Sequence, residues 1–266
     1  NNEMELTLRV VQILGACQYL NFIKIDTSYA ISQTAFVFAS EKYCEFLILH
    51  SSIHYEWSVK YGNSKGATFR YAPSKCFETF PFPSNLSSEQ KTKLEVIGKA
   101  VHEHRQNIML KIRLGLTKTY NQFHNKQLEV IDSALSQGEM EKAYGKEIVS
   151  LWKHLKKTEN TCSFEEAVKD IYHLRELHKE MDNAVLQAYS WEDIDLAHDF
   201  YQDDSRTGSD HIRYTISPES RKEVLKRLLK LNHKIHEQEI TEAKGLGKAK
   251  KIKKTAVNDA QIELGI

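Results

Sequence analysis

The spacing of apolar residues changes period once, at Pro81-Phe82-Pro83-Ser84, and this change limits the fold more than any other feature of the chain. Ahead of it lie short segments rich in β-branched and aromatic residues: Leu6 to Leu14, Tyr19 to Ile25 and Thr34 to Ala39. Their composition and length are those of strands. One stretch in this part is helical, because Tyr43, Phe46, Leu47, His50, Ile53 and Trp57 recur at three- and four-residue spacing, with Ser40 placed as N-cap. Beyond Pro83 the helical period takes over. Ser87 or Ser88 opens a helix carrying Leu94, Ile97, Val101, Ile108 and Ile112. A second uses Leu128, Ile131 and Leu135, and a third Met140, Tyr144, Ile148, Leu151 and Leu155. The longest runs from Phe164 to Tyr189 behind Ser163. The last starts at Ser217-Pro218, carries Val224, Leu228, Leu231 and Ile235, and follows a short extended piece, Ile212 to Ile216.

Only 11 Gly and 4 Pro in 266 residues argue for long helices and against a sandwich that turns every ten residues or so. The expected fold class is therefore α+β. A small mixed α/β lobe occupies residues 1–86, a mainly α-helical domain residues 87–242, and a basic tail residues 243–266. That tail is free of acids from Ala243 to Asn258 and reads as a solvated arm or as a phosphate-binding one.

Charge narrows the function classes. The 37 Lys+Arg against 36 Asp+Glu leave a net charge of +1, so any polyanion site must come from local clustering. Cys17, Cys44, Cys76 and Cys162 form no CxxC pair, which excludes a zinc ribbon and fits reduced thiols in the cytoplasm. No apolar run approaches a membrane span, and there is no secretory signal, so no membrane partner is expected. The start at Asn1-Asn2 reads as a piece of a longer protein.

Catalytic patterns are missing. Gly62 and Gly66 are not followed by Lys-Ser/Thr, so there is no P-loop, and there is no GxSxG elbow. His102 and His104 cannot share a ligand on a helix. His233 and His236 could, but lack a third partner. His173 and His178 read as core or rim packing. Glu192, Asp193 and Asp195, after Trp191, read as a helix stop with acids near a new helix N-terminus rather than as a metal site. Neither catalytic nor metal-ligating residues are assigned.

One local pattern stands out. Trp57 to Phe77 holds no Asp or Glu, while Lys60, Lys65, Arg70 and Lys75 fall at five-residue intervals, interleaved with Tyr61, Phe69 and Tyr71. A polyanion requires such a surface: cations for phosphates, and planar groups and Arg for base edges. An ordinary solvated loop with cations paired to distant acids has the same composition. The candidate DNA-binding residues are Lys60, Lys65, Arg70, Tyr71 and Lys75.

The segment RYAPSKCFETFPFP, Arg70 to Pro83, resembles a hallmark of large bacterial adenine-specific DNA methyltransferases of type IIG and related restriction–modification or phage-defence systems. AISQTAFVFAS (Ala30 to Ser40) and ILHSSIHYEWSVKYG (Ile48 to Gly62) are similar to that family's approach to the motif. GLTKTYNQFHN (Gly115 to Asn125), LRELHKEMDNAVLQAYSWEDIDL (Leu174 to Leu196) and IRYTISPESRKEVLKRLLKLNHKI (Ile212 to Ile235) are similar to its C-terminal region. The resemblance implies that residues 1–86 are the end of a DNA target-recognition domain. It implies double-stranded DNA and the methyltransferase domain of the same parent as partners, and S-adenosylmethionine as that domain's cofactor. It also leaves open a helical scaffold that packs on a catalytic or nuclease domain without touching DNA. The family's Asn-Pro-Pro motif and cofactor loop are absent, since Pro73, Pro81, Pro83 and Pro218 are all isolated. The expected outcome is that this chain neither binds S-adenosylmethionine nor transfers methyl groups. Saturable heat on calorimetric titration with the cofactor would overturn that expectation.

Overall fold

The computed structural model describes residues 8–13, 19–26, 28, 35–65, 68–128, 135–157, 162–203 and 211–245. It is α+β. Strands β1 (Leu8–Ile13), β2 (Phe22–Asp26) and β3 (Ala35–Phe38) form an antiparallel sheet in the order β2-β1-β3. The register sets Val10 opposite both Lys24 and Phe38. Among the described residues, two further antiparallel pairs complete the β structure, β4 (Asn63–Lys65) with β5 (Thr68–Arg70), and β6 (Asp199–Gln202) with β7 (Ile212–Thr215). The helices are α1 (Tyr43–His50), α2 (Ser52–Tyr61), α3 (Pro73–Cys76), α4 (Ser88–Ile112), α5 (Leu116–Phe123), α6 (Gln137–Ala143), α7 (Lys146–Lys157), α8 (Phe164–Ala188) and α9 (Pro218–Gly245).

Helices α4 and α8, 25 residues each, form the spine and run about 37 Å. Both open on a capping box, Ser87 with Gln90 and Ser163 with Glu166, which satisfies otherwise orphaned amides. They pack antiparallel. Leu94 and Val101 of α4 join Met181 and Val185 of α8 in one apolar cluster with Phe22, Phe46, Leu47, Ile53, Trp57, Phe80, Val224 and Leu228. Ile108 and Ile112 join Val168, Ile171 and Leu174 in a second, with Phe123, Met140, Ile148 and Leu151. The first cluster thus draws side chains from both sides of residue 86.

Several boundaries differ from the sequence expectation, each for an identifiable physical reason. The helix expected from Tyr43 through Trp57 is two helices. Ser51 leaves helical geometry, donates to the Ile48 carbonyl (2.7 Å) and accepts from the His54 amide (3.3 Å), so it ends α1 and caps α2. Ser40 is not the cap of α1. Lys42 holds that position without a side-chain bond, and Glu95 of α4 instead accepts the Tyr43 and Cys44 amides at 2.9 and 3.1 Å. Gly98 allows this close approach, because a Cβ there would stand 2.5 Å from the Tyr43 carbonyl oxygen. The third expected helix is split into α6 and α7 at Tyr144, which is extended. Of the helix expected around Leu128, residues 129–134 lie outside the described residues, and Leu128 is buried in a turn after α5. The tail beyond residue 245 also lies outside them. Among the described residues no helix is long and apolar enough to cross a membrane.

The FETFPFP segment crosses from the hairpin region to the helices. Phe77 to Thr79 form a turn after α3, and the extended strap begins at Phe80. Phe80 is buried, with its ring edge-on to His54, Trp57 and Phe82. Trp57 Nε1 donates to Thr79 Oγ1 (3.2 Å), Asn232 of α9 to the Thr79 carbonyl (2.7 Å), and Tyr189 Oη to the Pro81 carbonyl (2.9 Å). The strap is thereby tied to α2, α8 and α9. Pro81 and Pro83 keep it from joining α4 as helix. Phe80→Ala is expected to destabilise the chain by about 3–5 kcal/mol, as for other buried Phe truncations. A thermal melt with an unshifted midpoint would show that the strap is not a structural tie.

Candidate nucleic-acid interface

The acid-free segment folds as an anchored hairpin. At its entry, Tyr61 is buried against Trp57, with ring centroids 4.3 Å apart. Gly62 then turns the chain out of α2. A Cβ there would lie 2.4 Å from the Ser58 carbonyl and 2.7 Å from the Phe69 ring, so no other residue fits without movement. Strands β4 and β5 pair Asn63 with Arg70, Ser64 with Phe69 and Lys65 with Thr68. The alternation divides the ladder: position 69 packs toward the core, while positions 63, 65, 68 and 70 share the other face.

At the exit Tyr71 turns inward. Read from sequence as a DNA-facing aromatic, it is 4% exposed, edge-on to Phe22 and Phe38, with its hydroxyl 3.2 Å from His54 Nε2. The physical reason is the strand period, which sends neighbours Arg70 and Tyr71 to opposite sides. His54 Nδ1 donates to the Leu49 carbonyl at 2.8 Å, which leaves Nε2 as acceptor for Tyr71. Burial holds His54 neutral, its pKa lowered to about 4, and pushes the Tyr71 phenol up. Arg70 and Lys75 are exposed and Lys60 is half-exposed. Lys65 lies in β4 next to the hairpin tip. Among the described residues, neither Lys60 nor Arg70 makes an ion pair. Ala72, extended ahead of Pro73 at the first position of α3, makes the turn that follows.

Behind the hairpin, a polar layer separates the two apolar clusters. Arg105 Nη1 lies 3.2 Å from His50 Nε2, His50 Nε2 3.0 Å from Tyr120 Oη, and Tyr120 Oη 3.2 Å from His178 Nε2. Asp182, fully buried, accepts from the Ser52 amide at the start of α2 and meets His198 Nε2, both at 2.8 Å. An anion at that helix end is favoured by the aligned peptide dipoles. A cavity of about 70 Å3 adjoins the layer, lined by Tyr19, His50, Tyr55, His178, Asp203 and Arg213. It has room for a few waters, whereas small-molecule substrate pockets span roughly 300–1,000 Å3.

The remaining candidates are placed as follows. His178 belongs to the polar layer and His173 packs edge-on to His104 at 4.5 Å. Asp193 is held by both terminal nitrogens of Arg227, at 2.8 and 2.5 Å, and Asp195 accepts the Ala197 amide. Ser190 is left-handed (φ 57°), and the Trp191 and Ser190 amides close back on the Leu186 and Gln187 carbonyls, a Schellman stop to α8. Among the described residues no group of three His, Cys, Asp or Glu is placed to hold a metal. Cys44, Cys76 and Cys162 are buried and free.

A feature missed in the sequence is the lysine series Lys222, Lys226, Lys230 and Lys234 on the exposed side of α9. Its four-residue period was the available signal.

The chain matches no protein-family model and no curated protein. Among solved structures it is similar to the Type IIL restriction-modification enzyme MmeI in complex with DNA. The match has 13% identity and a TM-score of 0.49, over 87% of this chain and 22% of that enzyme's chain.

Burial sets the pH response. Glu56, 3.4 Å from Arg221 Nε, is raised to about 7, so it takes up a proton on folding and its contribution to stability falls as pH rises through that value. His54 and His102 are lowered to about 4 and His178 to about 3, so each releases a proton on folding. Their contribution is complete above the ordinary imidazole range and is lost as pH falls. With His50 also held well below its usual value, four imidazoles outweigh one carboxyl, so the urea midpoint is expected to rise between about pH 4.5 and 6.5. His178→Asn should reduce that slope by about one proton. A flat profile would contradict the neutral buried histidines.

Proposed function

We propose that this chain is a DNA target-recognition and C-terminal helical module of a restriction–modification methyltransferase, which binds duplex DNA for a catalytic domain it does not contain. The observation that carries the reading is the acid-free hairpin, with Lys65 and Arg70 on its strands and Lys60 of α2 and Lys75 of α3 flanking it, mounted on the core through Tyr61, Gly62 and Tyr71. A two-stranded ribbon fits the major groove of B-DNA, where Arg can read guanine while lysines meet phosphates. Pre-anchoring reduces the ordering cost of binding. Tyr71 serves the mount, and the four cations serve DNA. The motifs resembling type IIG enzymes support the same assignment, with the parent's methyltransferase domain and S-adenosylmethionine lying outside this chain. The nearly balanced charge after residue 86 favours a second role for the helices, as a brace for that absent domain.

The test is DNA binding as a function of salt. If all four cations meet phosphates, replacing Lys60, Lys65, Arg70 and Lys75 by Ala should lower the slope of log K against log salt by about 3.6. An unchanged slope in a folded quadruple variant would remove the hairpin as the DNA contact, and a wild-type chain that ignores duplex DNA would leave the scaffold as the function.

A further inference from the structure

Four features of α9 converge on one surface. Lys226, Lys230 and Lys234 are exposed and recur every fourth residue, about 6 Å apart along the helix. Residues 224–236 contain no acid. The lysines border a groove of about 540 Å3 whose opposite wall is Pro83 and Ser84 of the strap with Tyr189 and Trp191. That wall is rigid, because Trp191 stacks on Tyr189 at 4.4 Å and Tyr189 is bonded to the strap.

The nearby acids are already engaged. Arg227 takes both oxygens of Asp193 and one of Glu223, at 2.9 Å. Lys226 meets Glu223 at 3.1 Å, but the pair is exposed, and such pairs contribute little. Among the described residues Lys230 and Lys234 make no ion pair. The result is a row of cations above a groove, without a free guanidinium or amide to read base edges.

We infer that this ridge and groove hold the phosphate backbone of one strand of bound DNA, as a sequence-independent clamp separate from the hairpin. The regular step of the lysines is of the same order as the step between phosphates along a strand, and ammonium groups act there as point charges. A lipid surface is flat, whereas the lysines border a groove. The inference rests on reading the chain as a DNA-binding module.

The experiment measures binding of a short random-sequence duplex across a salt series, with wild type, the hairpin quadruple variant, and Lys226→Gln/Lys230→Gln/Lys234→Gln. All three positions are exposed on one helix, so unchanged circular dichroism is expected. The ridge variant should lose about 2.7 from the salt slope, so raising salt from roughly 50 to 200 mM costs the wild type about 40-fold more affinity than the variant. The Lys→Arg triple variant, which keeps the charges, should keep the slope. If the Gln variant retains the wild-type slope while the hairpin variant loses it, the clamp is overturned and the hairpin reading stands. The converse supports the clamp and removes the hairpin. A wild-type chain that ignores duplex DNA, whether or not it binds phosphatidylserine vesicles or an acidic protein, overturns both.

Discussion

The structure depends on the antiparallel contact between α4 and α8, and on the polar layer that crosses it. Arg105 stands between Val101 and Ile108 on α4, and His178 and Asp182 stand beside Leu174, Leu177 and Met181 on α8. Arg105 reaches His178 through His50 and Tyr120, and Asp182 holds the start of α2. Sliding either helix by one turn would bury Arg105 or Asp182 without partners, at several kcal/mol. Apolar contacts alone tolerate such shifts; the polar layer does not.

Helix α4 caps α1 through Glu95 and admits it through Gly98, and α8 caps α2 through Asp182. Helix α2 ends at Gly62, where the hairpin begins. The strap then returns the chain to α8 and α9 through Tyr189 and Asn232. The hairpin and the α9 ridge are therefore two cationic elements joined by one stiff connection.

Burying so many ionisable groups has a cost that the fold offsets individually. Lys24 is buried and donates to the Ser40, Glu41 and Lys42 carbonyls near the start of α1. Arg175 closes the end of α5 by donating to the Gln122, Phe123 and Asn125 carbonyls. Both cations satisfy backbone oxygens at helix ends. The histidines are kept neutral by the same burial.

Much of this was legible in residue order. The periods of α4, α8 and α9, the caps Ser87 and Ser163, the β-rich start and the Pro-held strap all follow from local rules, because local propensity and burial agree there. The acid-free run was visible, but its inward Tyr71 was not, since two-residue alternation shows only once a hairpin's register is known. Neither was the cap of α1, since Glu95 lies far along the chain and Ser40 was the nearer candidate. The break at Ser51 required knowing that Asp182 waits at the α2 amide. Sequence determined the long helices α4, α8 and α9, the β-rich start and the acid-free run. Tertiary structure decided which polar groups meet across the spine, because hydrogen bonds between distant residues depend on packing that no local pattern encodes.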